Sequence, residues 1–401
     1  MQIKTLCLSA SLGMACHLSA HAQTATFDVE TQELKIPIVE LMLKDDKVGA
    51  FEVEMQLMPN TIASDFTIKK LTPLDSAPTS GKGIILDRIQ KRTVLICGVG
   101  SGVNNLKGGF TFINENGQIA GFDVDLCRAV AAAVLGSPNA VSPVLVRPSD
   151  RQGALEPGNV DMLTATTTWT STREANWGNF TWITFYDGQG FIVNKDTGIT
   201  TLEQLEGKKV CVVEGTITIT NLKEVFAKRG ISFTPVTFVD AAKAFAAYEQ
   251  EQCMAYTGDR SSLAVRIFSS NTPDAHVFID ETISKEPLTP SVPFGDEGWV
   301  KIVRTIIFGL INAEELGITQ ANVDTMMSSD NPQVKRLLGV EGSFGQAEIG
   351  LEADAIARAI RAVGNYGEVY ERNIGSEGIG LPRGLNRLWT DGGLIYAPPL
   401  R

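Results

Sequence analysis

Between Phe27 and about Leu74 apolar and polar side chains alternate. Leu34, Ile36 and Ile38 are followed by Phe51, Val53, Met55 and Leu57, then by Phe66 and Ile68. A period of two puts every second side chain on one face of a strand. Asp45-Asp46-Lys47 and Pro59-Asn60 supply turns between the runs. The pattern predicts a small β-meander over residues 23–74. The polar stretch from Asp75 to Gly81, with Pro78 and two serines, reads as a linker.

Beyond the linker the rhythm changes to strands alternating with helices. Val94 to Cys97 reads as a buried strand, and Asp123 to Leu135 as an apolar helix with an acidic first turn. Strands follow at Val144 to Val146 and Val160 to Leu163. A second set runs strand Val210 to Val213, helix Asn221 to Arg229, strand Thr234 to Val239, helix Ala241 to Gln250 and strand Met254 to Thr257. The tail is mostly helical, at Trp299 to Asn312, Asn322 to Ser328 and Glu352 to Tyr366. Such alternation predicts an α/β protein with parallel sheets covered by helices.

The first 22 residues have another character. Lys4, the apolar run Thr5 to Ala15 and Ala20-His21-Ala22 form the three parts of a secretory signal, so export and cleavage after about Ala22 are expected. Lipoprotein processing before Cys16 is disfavoured by Gly13, which stands where a large aliphatic residue is wanted. The mature chain would keep all 46 acidic side chains and lose one of 35 basic ones, leaving a net charge of −12 and no basic stripe for nucleic acid. Four cysteines would remain, at 97, 127, 211 and 253. An even count in an exported protein suggests two disulfides. Pairing in chain order gives Cys97–Cys127 and Cys211–Cys253, one clasp per half; four free buried thiols are the other arrangement. Only His276 survives of three histidines. Catalytic triads, Cys-His pairs and His-based zinc sites need histidine in company, so no metal or cofactor is expected.

The segment Thr164-Ala165-Thr166-Thr167-Thr168-Trp169-Thr170-Ser171-Thr172-Arg173 carries the clearest candidate chemistry. It sets short hydroxyl side chains ahead of a guanidinium, whose planar fork suits a carboxylate. Such a site would grip a small carboxylic acid; a Thr-rich edge strand followed by a surface arginine is the bland alternative. Gly98-Val99-Gly100-Ser101-Gly102 follows a strand, but no helix start follows it, so it fails as a dinucleotide loop. It does not match G-x-S-x-G either.

Gly121-Phe122-Asp123-Val124-Asp125-Leu126, running into an Ala/Val-rich helix, resembles the signature of the family 3 extracellular solute-binding proteins, the amino-acid receptors of ABC importers. Further matching segments are Thr167-Thr168-Trp169-Thr170, Tyr186 to Phe191, Ile283 to Leu288 and Asn312 to Ile318. Together they resemble the general L-amino-acid-binding branch, from about Leu86 to Arg401. The resemblance implies a two-lobed periplasmic-binding-protein fold of type II, with hinge crossover strands, preceded by the meander. Lobe 1 is expected at 82–193 and 293–401, and lobe 2 at 194–292.

The resemblance also implies roles. Arg173 would clamp the ligand α-carboxylate, helped by Thr166 and Thr168. Thr216 and Ile217, in the lobe-2 turn Val213 to Thr218, would add N–H donors at a helix start. Asp259 would pair with the α-ammonium, and Phe110 and Lys107 would wall the side chain. Trp169 is read as packing and Glu286 as structural. The chain departs from relatives at Ile217 and Ile219, where Thr and an acidic residue are usual, and at Ala165 and Thr166, which replace Arg-Asn. Its segment Val103 to Gly109 is longer. The function implied is capture of an L-α-amino acid in the periplasm by a monomer and delivery to an inner-membrane ABC permease, without catalysis. Alternatives are a periplasmic enzyme on the same fold, of cyclic-acid dehydratase type with Glu214 as its acid, or a tethered protein with a degenerate cleft.

Overall fold

The computed structural model describes residues 83–103 and 106–401, and within 1–82 the backbone of six strands. The chain divides into two compact units, Met1–Thr79 and Ser80–Arg401.

In the first unit Glu33–Leu43, Asp46–Leu57 and Phe66–Leu74 form an antiparallel meander, joined where the sequence placed its turns. Thr26–Asp28 pairs with Glu33–Leu43. Two further strands, Leu6–Leu8 and Cys16–Ser19, come from the segment read as an export signal. Its removal would leave four strands.

The second unit holds two five-stranded sheets. The first has the order Val141–Val146, Leu95–Gly100, Met162–Leu163, Ser291–Val292 and Asn179–Phe180; the first three strands are parallel. The second has the order Phe233–Phe238, Lys208–Val213, Ala255–Asp259, Gln189–Asn194 and His276–Phe278, again with three parallel strands. The ribbon of Phe185–Asp187 against Glu286–Leu288 joins the lobes. The crossings fall earlier than expected: Gln189–Asn194 belongs to the second sheet and Ser291–Val292 to the first. Both strands are largely buried, so burial does not say which sheet claims them.

Helix Phe122–Leu135 covers the first sheet. Gly121 precedes it at φ 129°, and a Cβ there would lie 2.2 Å from the Phe110 carbonyl oxygen, so only glycine fits. Gly136 closes it in the left-handed conformation and donates its N–H to the Ala132 carbonyl. Helix Glu297–Glu315 starts at Asp296, whose carboxylate accepts N–H groups from Trp299 at 2.8 Å and Ile85 at 2.7 Å. Helix Ala355–Val363 packs on it, with Ile356 against Gly309. The helix expected from Glu352 to Tyr366 breaks at Gly364 (φ 83°) and restarts as Tyr366–Asn373 behind an Asn365–Glu368 capping box. Helices Ile84–Arg92, Ser171–Asn176 and Arg260–Ser269 are additional to those expected.

Both disulfides form in chain order: Cys97–Cys127 ties a strand of the first sheet to its covering helix, and Cys211–Cys253 clasps the second lobe. Each closes a loop of tens of residues, which constrains the unfolded chain by about 3–4 kcal/mol. Replacing Cys211 and Cys253 together by alanine is expected to lower the unfolding free energy by about 3 kcal/mol, measured by urea denaturation. A change below about 1 kcal/mol would show that the bond is not formed or does not constrain the chain.

Candidate functional site

The carboxyl ends of the parallel strands in both sheets converge on one cleft, the place where open α/β sheets bind ligands. The cavity there encloses about 140 Å³ and takes its walls from both lobes.

The Thr-rich segment forms the first-lobe floor. After Met162–Leu163 the chain turns at Thr166, which adopts a positive φ of 41°, a conformation rare for a β-branched residue. The Asp123 carboxylate holds it there by accepting the Thr166 N–H at 3.1 Å. The chain then runs antiparallel beside the crossover: Trp169 donates its N–H to the Pro287 carbonyl, and the Thr168 hydroxyl donates to Glu286 at 2.6 Å. Thr170 caps helix Ser171–Asn176 by accepting the Arg173 N–H. That cap orients Arg173, whose Nη1 donates to the Thr168 carbonyl at 2.9 Å while its guanidinium lies 4.6 Å over the Trp177 ring.

The second lobe presents the turn after Lys208–Val213. The Thr216 hydroxyl donates to the Val213 carbonyl at 2.7 Å, and helix Thr218–Arg229 begins beyond Ile217 without a side-chain cap. Its first N–H groups therefore lie at the cavity wall formed by Thr216, Ile217 and Thr218. Gly215 sits at φ 70°, and a Cβ on it would approach the Ser149 backbone of the first lobe to 2.7 Å. Asp259 ends strand Ala255–Asp259 and faces the cavity with no hydrogen-bond partner among the described residues.

Charge in the cleft is unevenly matched. Arg151 and Arg173 both line it and both are only 7% exposed. Burial, and then the field of Arg173, pushes Arg151 down to about 10. Burial also lowers Arg173, against the opposing pull of Glu286 and Asp259. Among the described residues the Arg151 side chain makes no hydrogen bond or ion pair, and its Nε is buried without a partner. Burial raises Asp259 well above the ordinary carboxylate range, as do the neighbouring Asp187 and Glu286, with Arg151 and Arg173 pulling the other way. Asp187 is pushed up to about 6 by burial, although Ser261 and the Gly188 N–H stabilise its ionised form.

Of the eight residues expected at the site, Arg173, Asp259, Thr166, Thr168, Thr216 and Ile217 line the cleft together. Phe110 lines it too, as the buried first-lobe wall. Lys107 does not. Its backbone N–H donates to the Ser269 hydroxyl across the lobes at 3.1 Å, which turns its side chain to a neighbouring groove, and Leu106 takes its place at the wall. Glu214 is exposed and outside the cleft lining, because the turn at Gly215 carries it outward. Trp169 stacks on Phe180 and is not part of the lining. Arg151 was missed. The available signal was its place just after Pro148, beyond the carboxyl end of strand Val141–Val146. Among the described residues no three His, Cys, Asp or Glu side chains are grouped to hold a metal ion.

The comparison with known proteins agrees with this architecture. The model of the bacterial extracellular solute-binding proteins, family 3, matches residues 101–375. The general L-amino acid-binding periplasmic protein AapJ of Rhizobium johnstonii is 43% identical over 319 residues, covering 79% of this chain and 92% of the relative. The glutamate/glutamine/aspartate/asparagine-binding protein BztA of Rhodobacter capsulatus is 46% identical over 320 residues, covering 79% and 93%. A solved periplasmic binding protein of an ABC transporter from Brucella ovis, with glutathione bound, is 43% identical at a TM-score of 0.76, covering 79% of this chain and 99% of that one. With the family model matching well over half of the chain, and relatives above 40% identical along most of their own length, the chain belongs to the bacterial extracellular solute-binding proteins of family 3.

Proposed function

We infer that this chain is the periplasmic receptor of an amino-acid ABC importer, capturing an L-α-amino acid between its lobes and handing it to an inner-membrane permease. The observation that carries this is the arrangement of unpaired charge: two buried guanidiniums from one lobe face a free carboxylate from the other. A zwitterion satisfies both signs at once. Arg173, with Thr168 and the helix start at Thr216 and Ile217, holds the α-carboxylate. Asp259, beside Thr166, holds the α-ammonium. Arg151 is left for an acceptor at the end of the ligand side chain, so acidic and amide amino acids are favoured over aliphatic ones. The names of the relatives AapJ and BztA support this class, and the glutathione of the Brucella ovis protein carries the same amino-acid head on its γ-glutamyl end. The receptor works as a monomer, without cofactor or turnover, after cleavage of its signal near Ala22.

A thermal-shift screen of the mature chain against the twenty L-amino acids tests this. Ligand at a hundred times its Kd stabilises the native state by about 2.7 kcal/mol, a rise in Tm of several degrees. Glutamate, glutamine, aspartate and asparagine are expected to give the largest shifts. Arg173→Ala is expected to weaken binding by at least about a hundredfold, since it strands a charged partner. Arg151→Met should remove the preference for those four over alanine. No shift with any amino acid would overturn the assignment.

Affinity is expected to fall with acidification as Asp259, raised well above the ordinary aspartate range by burial, takes up a proton. The clustered carboxylates Asp187 and Asp259 take up protons well above the usual aspartate range. A protonated Asp259 no longer attracts an ammonium, so each pH unit below its raised value costs about tenfold in affinity. Calorimetric titrations at pH 5, 6 and 7 read this, and a flat profile would show that Asp259 does not hold the ammonium. Gly215→Val is expected to weaken binding by keeping the lobes apart at Ser149; small-angle scattering should show a more open particle with ligand present.

A further inference from the structure

One buried carboxylate is bonded to both lobes. Glu286 opens the crossover strand Glu286–Leu288, is 1% exposed and makes no ion pair among the described residues. Its partners are neutral donors from three places. Oε2 accepts from the Thr168 hydroxyl of the first lobe at 2.6 Å. Oε1 accepts from the Asn221 side-chain amide of the second lobe at 2.9 Å, and from the hydroxyl of Ser284 on the crossover itself. Behind each lobe contact stands a part of the candidate ligand site. The Thr168 carbonyl accepts from Arg173 Nη1, and among the charges that offset the burial of Arg173 that of Glu286 acts most strongly. Asn221 lies in the first turn of helix Thr218–Arg229, where its own N–H donates to the Ile217 carbonyl, so it moves with the helix start that walls the cleft. Stability alone does not account for a carboxylate here. Glu286 stands directly across the crossover ribbon from Asp187, and like charges in that register are destabilising. A buried carboxylate without an ion pair is costly as well.

We propose that Glu286 is a positioning residue for ligand capture, joining the two halves of the α-carboxylate clamp: Arg173 on the first lobe and the helix start at Thr216 to Thr218 on the second. The proposal rests on the amino-acid assignment above and deepens it. The bonds of Glu286 to Thr168 and Asn221 run to opposite lobes. A rotation of one lobe against the other about the crossover lengthens at least one of them. The pair is therefore complete only in the closed arrangement, and it favours the state that the ligand also favours. Neither Glu286 nor Asn221 lines the cleft, so their effect on a ligand passes through Thr168 and the helix start. The contact forms as the lobes meet, after the ligand has entered, and so it governs how long the ligand stays.

Asn221 is the place to test this, because it is half-buried and outside the cleft lining, and its variants should keep the unfolding temperature of the ligand-free chain. Asn221→Ala removes one hydrogen bond to a charged acceptor and is expected to weaken L-glutamate about tenfold in calorimetric titration of the mature chain. Asn221→Asp keeps the shape of asparagine but sets a second carboxylate against Glu286, so it should weaken binding further than alanine does. Both losses should fall on the dissociation rate, read by chasing radiolabelled L-glutamate, with association within about twofold of the unaltered chain. Exchanging donor and acceptor, by Asn221→Asp together with Glu286→Gln, should bind more tightly than Asn221→Asp alone. If the exchanged chain does not fold, the comparison of aspartate with alanine at 221 decides by itself. Asn221→Asp no weaker than Asn221→Ala would show that 221 acts through shape alone and would overturn the proposal, as would losses confined to association. In either case the amino-acid assignment stands. Failure of the unaltered chain to bind glutamate or any other of the twenty L-amino acids would overturn that assignment and the proposal with it.

Discussion

Two guanidiniums buried side by side are the constraint on which the cleft depends. Arg151 and Arg173 repel one another in a medium that screens poorly, and burial disfavours the charge on each. Breaking a buried ion pair by removing one partner costs on the order of 3–5 kcal/mol, and here a partner is lacking from the start. Much of the surrounding structure holds this pair in place. Thr170 caps the helix that carries Arg173, Trp177 backs its guanidinium, and the Thr168 carbonyl takes one of its N–H groups. Thr168 is in turn fixed by Glu286 on the crossover, so the Arg173 segment and the crossover are one hydrogen-bonded assembly. The Thr166 backbone, held at positive φ by Asp123, is the strained link between this assembly and the sheet.

The same imbalance explains how binding and closure are coupled. The guanidiniums come from one lobe and Asp259 from the other. With the lobes apart, water can satisfy each charge. With the lobes together and no ligand, Arg151 is left without a partner and Asp259 is driven toward its neutral form. A zwitterionic ligand removes both penalties in the closed arrangement only. That difference between the two arrangements is what a ligand needs in order to shift their populations.

The sheets, most helices, both disulfide pairings and five of the cleft's hydroxyl, carboxylate and guanidinium groups were legible in the sequence. The elements and the Arg173 segment rest on local signals, such as alternation of apolar residues, an acidic helix start, or a run of threonines before an arginine, whereas Asp259 and Thr216 came from the family resemblance. What escaped was decided at a distance. Gln189–Asn194 and Ser291–Val292 carry no mark of the sheet they join, because that depends on partners about a hundred residues away, such as Ile192 against Phe278 and Leu163 against Ser291. Arg151 lies in a polar connection that looks solvated until the second lobe covers it. Lys107 is the opposite case: a long cation in the right segment, turned aside because its own N–H is held by Ser269. Side-chain direction at a wall between two lobes is set by both lobes, and one stretch of sequence records only one of them.

The second-lobe turn shows why a substituted motif need not mean a lost site. The family resemblance implies threonine where Ile217 stands, and the isoleucine would remove a hydroxyl from the cavity. Yet the neighbouring Thr216 hydroxyl is spent inside the turn, on the Val213 carbonyl, and helix Thr218–Arg229 has no side-chain cap. The donors left for a ligand are the backbone N–H groups of the first turn, and any residue supplies those. The demanding position in this turn is Gly215, whose backbone must pass within van der Waals reach of Ser149 at a φ that L side chains rarely adopt. An apolar side chain at 217 then changes the packing around the ligand without removing the helix-start donors. The turn is constrained by its backbone and by the approach of the opposite lobe, and both are intact.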